Sequence, residues 1–137
     1  RRSIAVIDEN FETFVKTSIP NLFSNNEKDI LEGKIELAKN IAKSTNKEGV
    51  KAAQLGMAER PDRTEILENL DAKILIIAGK YDNAVKTENL LKIIPEKTNI
   101  KTYVLDCGHN GHWEKPTICA EIINTELFHN LPKHFLL

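Results

Sequence analysis

The 137-residue sequence predicts an α/β chain, with an all-helical block over residues 1–60 and a strand–helix–strand–helix unit over 61–137. Three observations predict it. Up to residue 60, apolar residues recur at three- and four-residue steps, the spacing of one helix face. Beyond Pro61 two short, β-branched runs appear, at 74–78 and 100–105. Each run leads through glycine to a functional side chain: Gly79 and then Asp82 after the first, Gly108 and then His109 after the second. Open α/β sheets place their chemistry just past strand carboxyl ends. Asp82 and His109 are therefore the candidate functional pair.

The first helix is expected over 3–23, with Ile4, Ile7, Phe11, Phe14, Val15 and Ile19 on its apolar face and Pro20 ending or bending it. Asn25 and Asn26 mark a loop and a cap for a second helix over 27–43. Its stripe is Leu31, Ile35, Ala38 and Ala42, widened by Ile30, Leu37 and Ile41. Thr45 with Glu48 three residues on has the form of a capping box, opening a third helix to about residue 58. Pro61 breaks the pattern, and Asp62 caps a short helix over 63–70. The run Ile74, Leu75, Ile76, Ile77 is apolar on both faces, as in a strand covered from both sides. A helix over 87–94 ends at Pro95, and a second, more alternating strand covers 100–105. Pro116 suits the first turn of a last helix reaching about residue 127. The tail, 131–137, ends apolar and is expected to pack down. A right-handed crossover makes the two strands parallel.

The net charge is −1, with acids and bases mixed, so no basic stripe points to nucleic acid. No apolar run approaches the ~18 residues that span a bilayer, and no signal peptide is visible. Cys107 and Cys119 read as two buried free thiols, which makes a reducing cytoplasm the expected location. The chain opens Arg1, Arg2, Ser3 and its only methionine is Met57, so it reads as a piece of a longer chain. Two strands do not make a stable sheet alone. The strand at 74–78 therefore calls for neighbours: a partner half of the same fold, or self-association through its open edge.

A carboxylate and an imidazole at neighbouring strand ends suit one task. The acid accepts from one ring nitrogen and fixes the tautomer, and the other nitrogen acts as general base. Such a pair needs a nucleophile, yet the sequence holds no G-x-S-x-G elbow. Tyr81, Thr87, Tyr103 and Thr117 lack elbow context, and Ser3, Ser18, Ser24 and Ser44 fall in the helical block. No spacing brings three metal ligands together.

The stretch from Met57 to Pro116 (MAERPDR, ILIIAGKYD, YVLDCGHNGHWEKP) resembles the C-terminal part of an α/β-hydrolase-fold enzyme. G-x-x-D after a hydrophobic strand matches the family's acid position, Asp82. G-H followed by x-x-H-x-E-x-P matches its catalytic histidine, His109, 27 residues on. His112 is the rival imidazole. Residues 1–60 resemble the helical cap that many members insert before the acid strand. The resemblance implies a Ser-His-Asp triad whose serine lies in an absent N-terminal half, no organic cofactor or metal, and a small ester-like substrate. It implies that this polypeptide alone is inactive. The alternatives are a cofactor-free haloperoxidase-like enzyme, a lyase, a C–C bond hydrolase, or a binding or receptor-like module without turnover. The elbow residue would separate them: serine for an esterase, aspartate for a dehalogenase or epoxide hydrolase, glycine or alanine for a non-enzyme. Trp113 and Met57 are the candidate substrate contacts, Trp113 with core packing as its alternative, and Phe14, Leu22 and Phe23 are further candidates for lining. Glu114 reads as a brace for the loop or the helix start, and Cys107 as a small buried filler.

Overall fold

Asn10, Asn46, Pro61 and Pro95 fall outside the helices and separate them, while Gly33, Gly49 and Gly56 lie inside them. A computed structural model describes residues 2–128, so the tail at 131–137 and the histidines 129 and 134 lie outside the described residues. The helical block contains α1 (Arg2–Glu9), α2 (Phe11–Ser18), two 3-10 turns (Ile19–Leu22 and Asn25–Glu27), α3 (Lys28–Ser44) and α4 (Lys47–Glu59). A short α5 (Thr64–Asn69) leads into β1 (Ile74–Gly79). Helix α6 (Thr87–Ile93) crosses to β2 (Ile100–Leu105), and α7 (Gly111–Glu114) and α8 (Pro116–Phe128) follow. The strands pair in parallel, in register from Ile74 opposite Ile100 to Gly79 opposite Leu105.

Three helix boundaries differ from expectation, each because a short polar side chain competes for the backbone. The helix expected over 3–23 breaks at Asn10, which is extended (φ −157°, ψ 97°) and accepts from the Thr13 amide at 2.9 Å. Ser24, rather than Asn25 or Asn26, caps the turn before α3, accepting from the Asn26 amide. Asn46, rather than Thr45, caps α4 through the Gly49 amide at 3.0 Å. The Thr45 hydroxyl instead donates back to the Ile41 carbonyl, closing α3. Asp62 does hold the start of α5, accepting from the amide and hydroxyl of Thr64.

The core lies under the turn between α2 and α3. Phe23 is fully buried against Leu31 and Ile35, with Ile19, Leu22, Ala38 and Trp113 packed around them. The wider stripe of α3 is not covered: Ile30, Leu37 and Ile41 are exposed. In β1 the four residues Ile74 to Ile77 are half-buried, and only Ala78 and Gly79 are buried. β2 is half-buried at Ile100, Tyr103 and Leu105 and exposed at Lys101, Thr102 and Val104, so the expected alternation holds only over its second half. Helix α8 packs against β1. Its buried Glu126 holds it to the sheet, accepting from the Tyr103 hydroxyl at 2.6 Å and pairing with Lys101 at 2.9 Å, while Lys73 donates to its carbonyl. Among the described residues no helix is long and apolar enough to cross a membrane.

Candidate active site

The strand ends are laced together before any functional side chain appears. Past β1, the amide of Lys80 donates to the Leu105 carbonyl at 2.8 Å and that of Tyr81 to the Cys107 carbonyl at 2.9 Å. The Thr87 hydroxyl ties the start of α6 to the Gly79 carbonyl. Two glycines make this approach possible. A Cβ on Gly79 would sit 2.0 Å from the Gly108 carbonyl oxygen, and one on Gly108 would sit 2.6 Å from Phe23 C and Ser24 N. Neither glycine has a positive φ, so space and not backbone conformation excludes other residues.

On this frame Asp82 and His109 meet. His109 Nδ1 lies 2.8 Å from Asp82 Oδ2, while Asp82 Oδ1 accepts from the amides of Ala84 at 2.7 Å and Val85 at 2.9 Å. Burial is the largest single influence on the Asp82 carboxyl and opposes its charge. The Val85 amide, His109 and the Ala84 amide together outweigh burial, so the carboxyl ionises below its ordinary value. An ionised carboxylate only accepts hydrogen bonds, which puts the imidazole proton on Nδ1. Nε2 has no hydrogen-bond partner among the described residues, and the imidazole side chain is 42% exposed. Such a ring can take a proton at Nε2 while Asp82 stabilises the imidazolium.

The histidine loop has a mount of its own. The amide of Gly108 donates to Glu114 Oε1 at 2.9 Å, and the amide of Asn110 to the Leu22 carbonyl at 3.0 Å. Glu114 thus braces the loop, as one of its two readings had it. The one-turn helix α7 that presents Glu114 has no counterpart in the sequence reading, since only a few residues separate Gly108 from Pro116. The involvement of Leu22 to Ser24 was also missed: Ser24 and Glu114 lie 90 residues apart, and no local signal joins them.

The other candidates scatter. His112 is exposed on α7, edge-on to Trp113. Trp113 itself is half-buried, edge-on to Phe23 with ring centroids 6.1 Å apart. Phe23 is a correction: with 0% exposure it is a centre of the core and lines no pocket. Leu22 packs against that core, and Phe14 stacks on Phe11. Met57 borders an open groove of about 620 Å³ with Arg60, Arg63, Ile66 and Ile93, which shares no residue with the polar cavity of about 440 Å³ beside Asp82. Cys107 and Cys119 are free and buried; burial, with Glu114 adding to it, pushes the Cys107 thiol up to about 11. Among the described residues no three His, Cys, Asp or Glu side chains cluster as metal ligands would.

No protein-family model matches the chain, and no curated protein does. Solved structures do. A thermophilic esterase from Thermogutta terrifontis, with malate bound, superposes with a TM-score of 0.79 at 30% identity, over 91% of this chain and 47% of its own. MGS-M2, an alpha/beta hydrolase enzyme from a Medee basin deep-sea metagenome library, superposes with a TM-score of 0.62 at 19% identity, over 89% of this chain and 50% of its own. The chain spans about half the length of these structures. Its parallel strands and flanking helices are the C-terminal portion of an α/β-hydrolase fold.

Proposed function

We propose that the protein is a carboxylic-ester hydrolase in which His109 is the general base and Asp82 the acid that orients it. The observation that carries this reading is the 2.8 Å contact of Asp82 with His109 Nδ1, with Nε2 unpaired among the described residues. The nucleophile is a serine supplied by chain outside these residues, because no G-x-S-x-G lies within them. Nε2 takes the serine proton as the oxygen adds to the ester carbonyl, and returns it to the departing alcohol. Water then cleaves the acyl-enzyme by the same route. This chemistry asks for no metal or organic cofactor. The likeness to an esterase at 30% identity favours an ester over other substrates.

In this reading residues 1–60 are the cap and 61–137 belong to the core domain. Met57, beside the Arg60 and Arg63 groove, is the proposed substrate contact from the cap side. Trp113, packed on Phe23, acts through the core. Among the described residues β1 pairs with β2 alone, and its other edge is where the remaining strands pair, or where a second copy binds in their absence. The two free thiols fit a reducing cytoplasm.

A 4-nitrophenyl acetate assay tests the proposal. The 137-residue chain alone is expected to cleave the ester no faster than free imidazole. Joined to the segment encoded upstream, it is expected to turn over, and Asp82→Asn to lower kcat by about 10⁴-fold. Turnover by the chain alone that survives Cys107→Ala and dies with His109→Ala would place a nucleophile within these residues. Glycine or alanine at the upstream elbow would reject the hydrolase altogether.

A further inference from the structure

His109 is gripped through the residue on each side of it. On one side Gly108 donates to Glu114, and on the other Asn110 donates to the carbonyl of Leu22. The same Glu114 carboxylate accepts from the Ser24 amide, at 3.2 Å to Oε2 and 3.3 Å to Oε1. Glu114 and Ser24 are both buried, at 7% and 1% exposure. The histidine loop is thus pressed onto the turn from Leu22 to Ser24, with no room for a Cβ between Gly108 and that turn. Two lysines hold the same seam from outside: Lys34 donates to the Trp113 carbonyl at 2.6 Å, and Lys115 pairs with Glu27 at 2.8 Å.

We propose that Glu114 is a positioning residue for His109, and that it works by clamping the histidine loop onto the Leu22–Ser24 turn of the helical block. The proposal deepens the reading of His109 as the base and rests on it. The carboxylate is suited to this place because two backbone donors converge on it, and an acceptor-only group satisfies both. An amide would turn its NH₂ toward one of them. Bonds to a charged acceptor are also about twice as strong as neutral ones. With residues 108 and 110 both fixed, His109 has little backbone freedom, and its ring reaches Asp82 without searching. A loop shift of about 1 Å would take the 2.8 Å contact beyond hydrogen-bond range. The helical block is therefore part of the mount of the base as well as a neighbour of the substrate side, and moving the block moves the imidazole.

Nitrogen-15 spectra of the 137-residue chain test this without any need for turnover, since imidazole shifts report which ring nitrogen carries the proton. In the unmodified chain His109 is expected in its Nδ1–H form, with a low-field proton on Nδ1. In Glu114→Gln the amides of Gly108 and Ser24 should both move, the low-field proton should be lost and the Nε2–H form should appear, with His112 unchanged. Ser24→Ala, which keeps the amide, should leave His109 as it was. If the two amides move in Glu114→Gln while His109 keeps its Nδ1 proton, Glu114 is only a structural brace and the proposal is overturned. If the glutamine chain does not fold, Glu114→Asp is read the same way. Unfolding of both would make Glu114 a general core residue and overturn the proposal too. An unmodified chain lacking the Nδ1–H form would overturn the assignment of the base itself, a separate outcome visible before any substitution.

Discussion

Helices α3 and α4 have the same kind of amphipathic spacing, yet the structure uses them differently. α3 lays Leu31 and Ile35 on Phe23, and it is tied to α7 through Lys34. α4 buries no residue at all: Leu55 is 42% exposed and Met57 54%. Its ties run to α1, where Lys51 pairs with Asp8 at 2.6 Å and Lys47 donates to the Asp8 carbonyl. The glycines divide in the same way. A Cβ at Gly108 meets backbone at 2.6 Å, whereas one at Gly56 meets nothing within 4 Å. Periodicity announces that a face is apolar, but not what covers it. Here Phe23 and Ser24, two residues just past a four-residue 3-10 turn, are buried, whereas a 13-residue helix buries none.

The largest expected effect lies at the centre of the packed region. Phe23→Ala removes the ring on which Leu31, Ile35 and Trp113 pack. It should cost about 3–5 kcal/mol, the range for a buried Phe whose site cannot collapse. The denaturation midpoint should fall with an unchanged slope. A loss below about 1 kcal/mol would show that the turn is not the core, and would remove the contrast with α4.

Acid gives a second handle on the packed region. Asp82 ionises below its ordinary value of 3.8 in the folded chain. Between the unfolded and folded values the unfolded chain binds more protons, so stability is present above about pH 4 and is lost as pH falls through the folded value. Unfolding measured from pH 7 downward should show a steeper loss in the unmodified chain than in Asp82→Asn. Parallel curves would mean that the contacts from Val85, His109 and Ala84 do not stabilise the carboxylate.

The strand ends were legible because their signals are local. A β-branched run, a glycine and a carboxylate or imidazole lie within a few residues, and parallel pairing then brings Asp82 to His109. The order of helices was legible for the same reason. What the sequence hid was long-range. Nothing near Ser24 announces Glu114, and nothing near Phe23 says whether its apolar face meets a pocket or Trp113. The caps failed differently. Asn10 and Asn46 carry a usable signal, an asparagine three residues before a helical amide, but the longer apolar pattern and the Thr45 box are the more prominent features of the sequence. Local capping won because the asparagine oxygen reaches that amide directly.

The smallest expected effect has the opposite sign. Gly56 lies inside α4 with an ordinary negative φ and open space around its Cβ direction. Alanine there adds helix propensity and removes freedom from the unfolded chain, so Gly56→Ala should stabilise by about 0.5–1 kcal/mol. The same substitution at Gly108 should destabilise, because its Cβ would meet the backbone of Phe23 and Ser24. Urea midpoints of the two chains, measured side by side, give the signs. If Gly56→Ala destabilises as well, α4 must pack in solution against a surface that its exposed residues do not reveal. Repeating the measurement across protein concentration then identifies that surface: a loss that grows with concentration places the contact in a second copy of the chain, and a constant loss places it within the same chain.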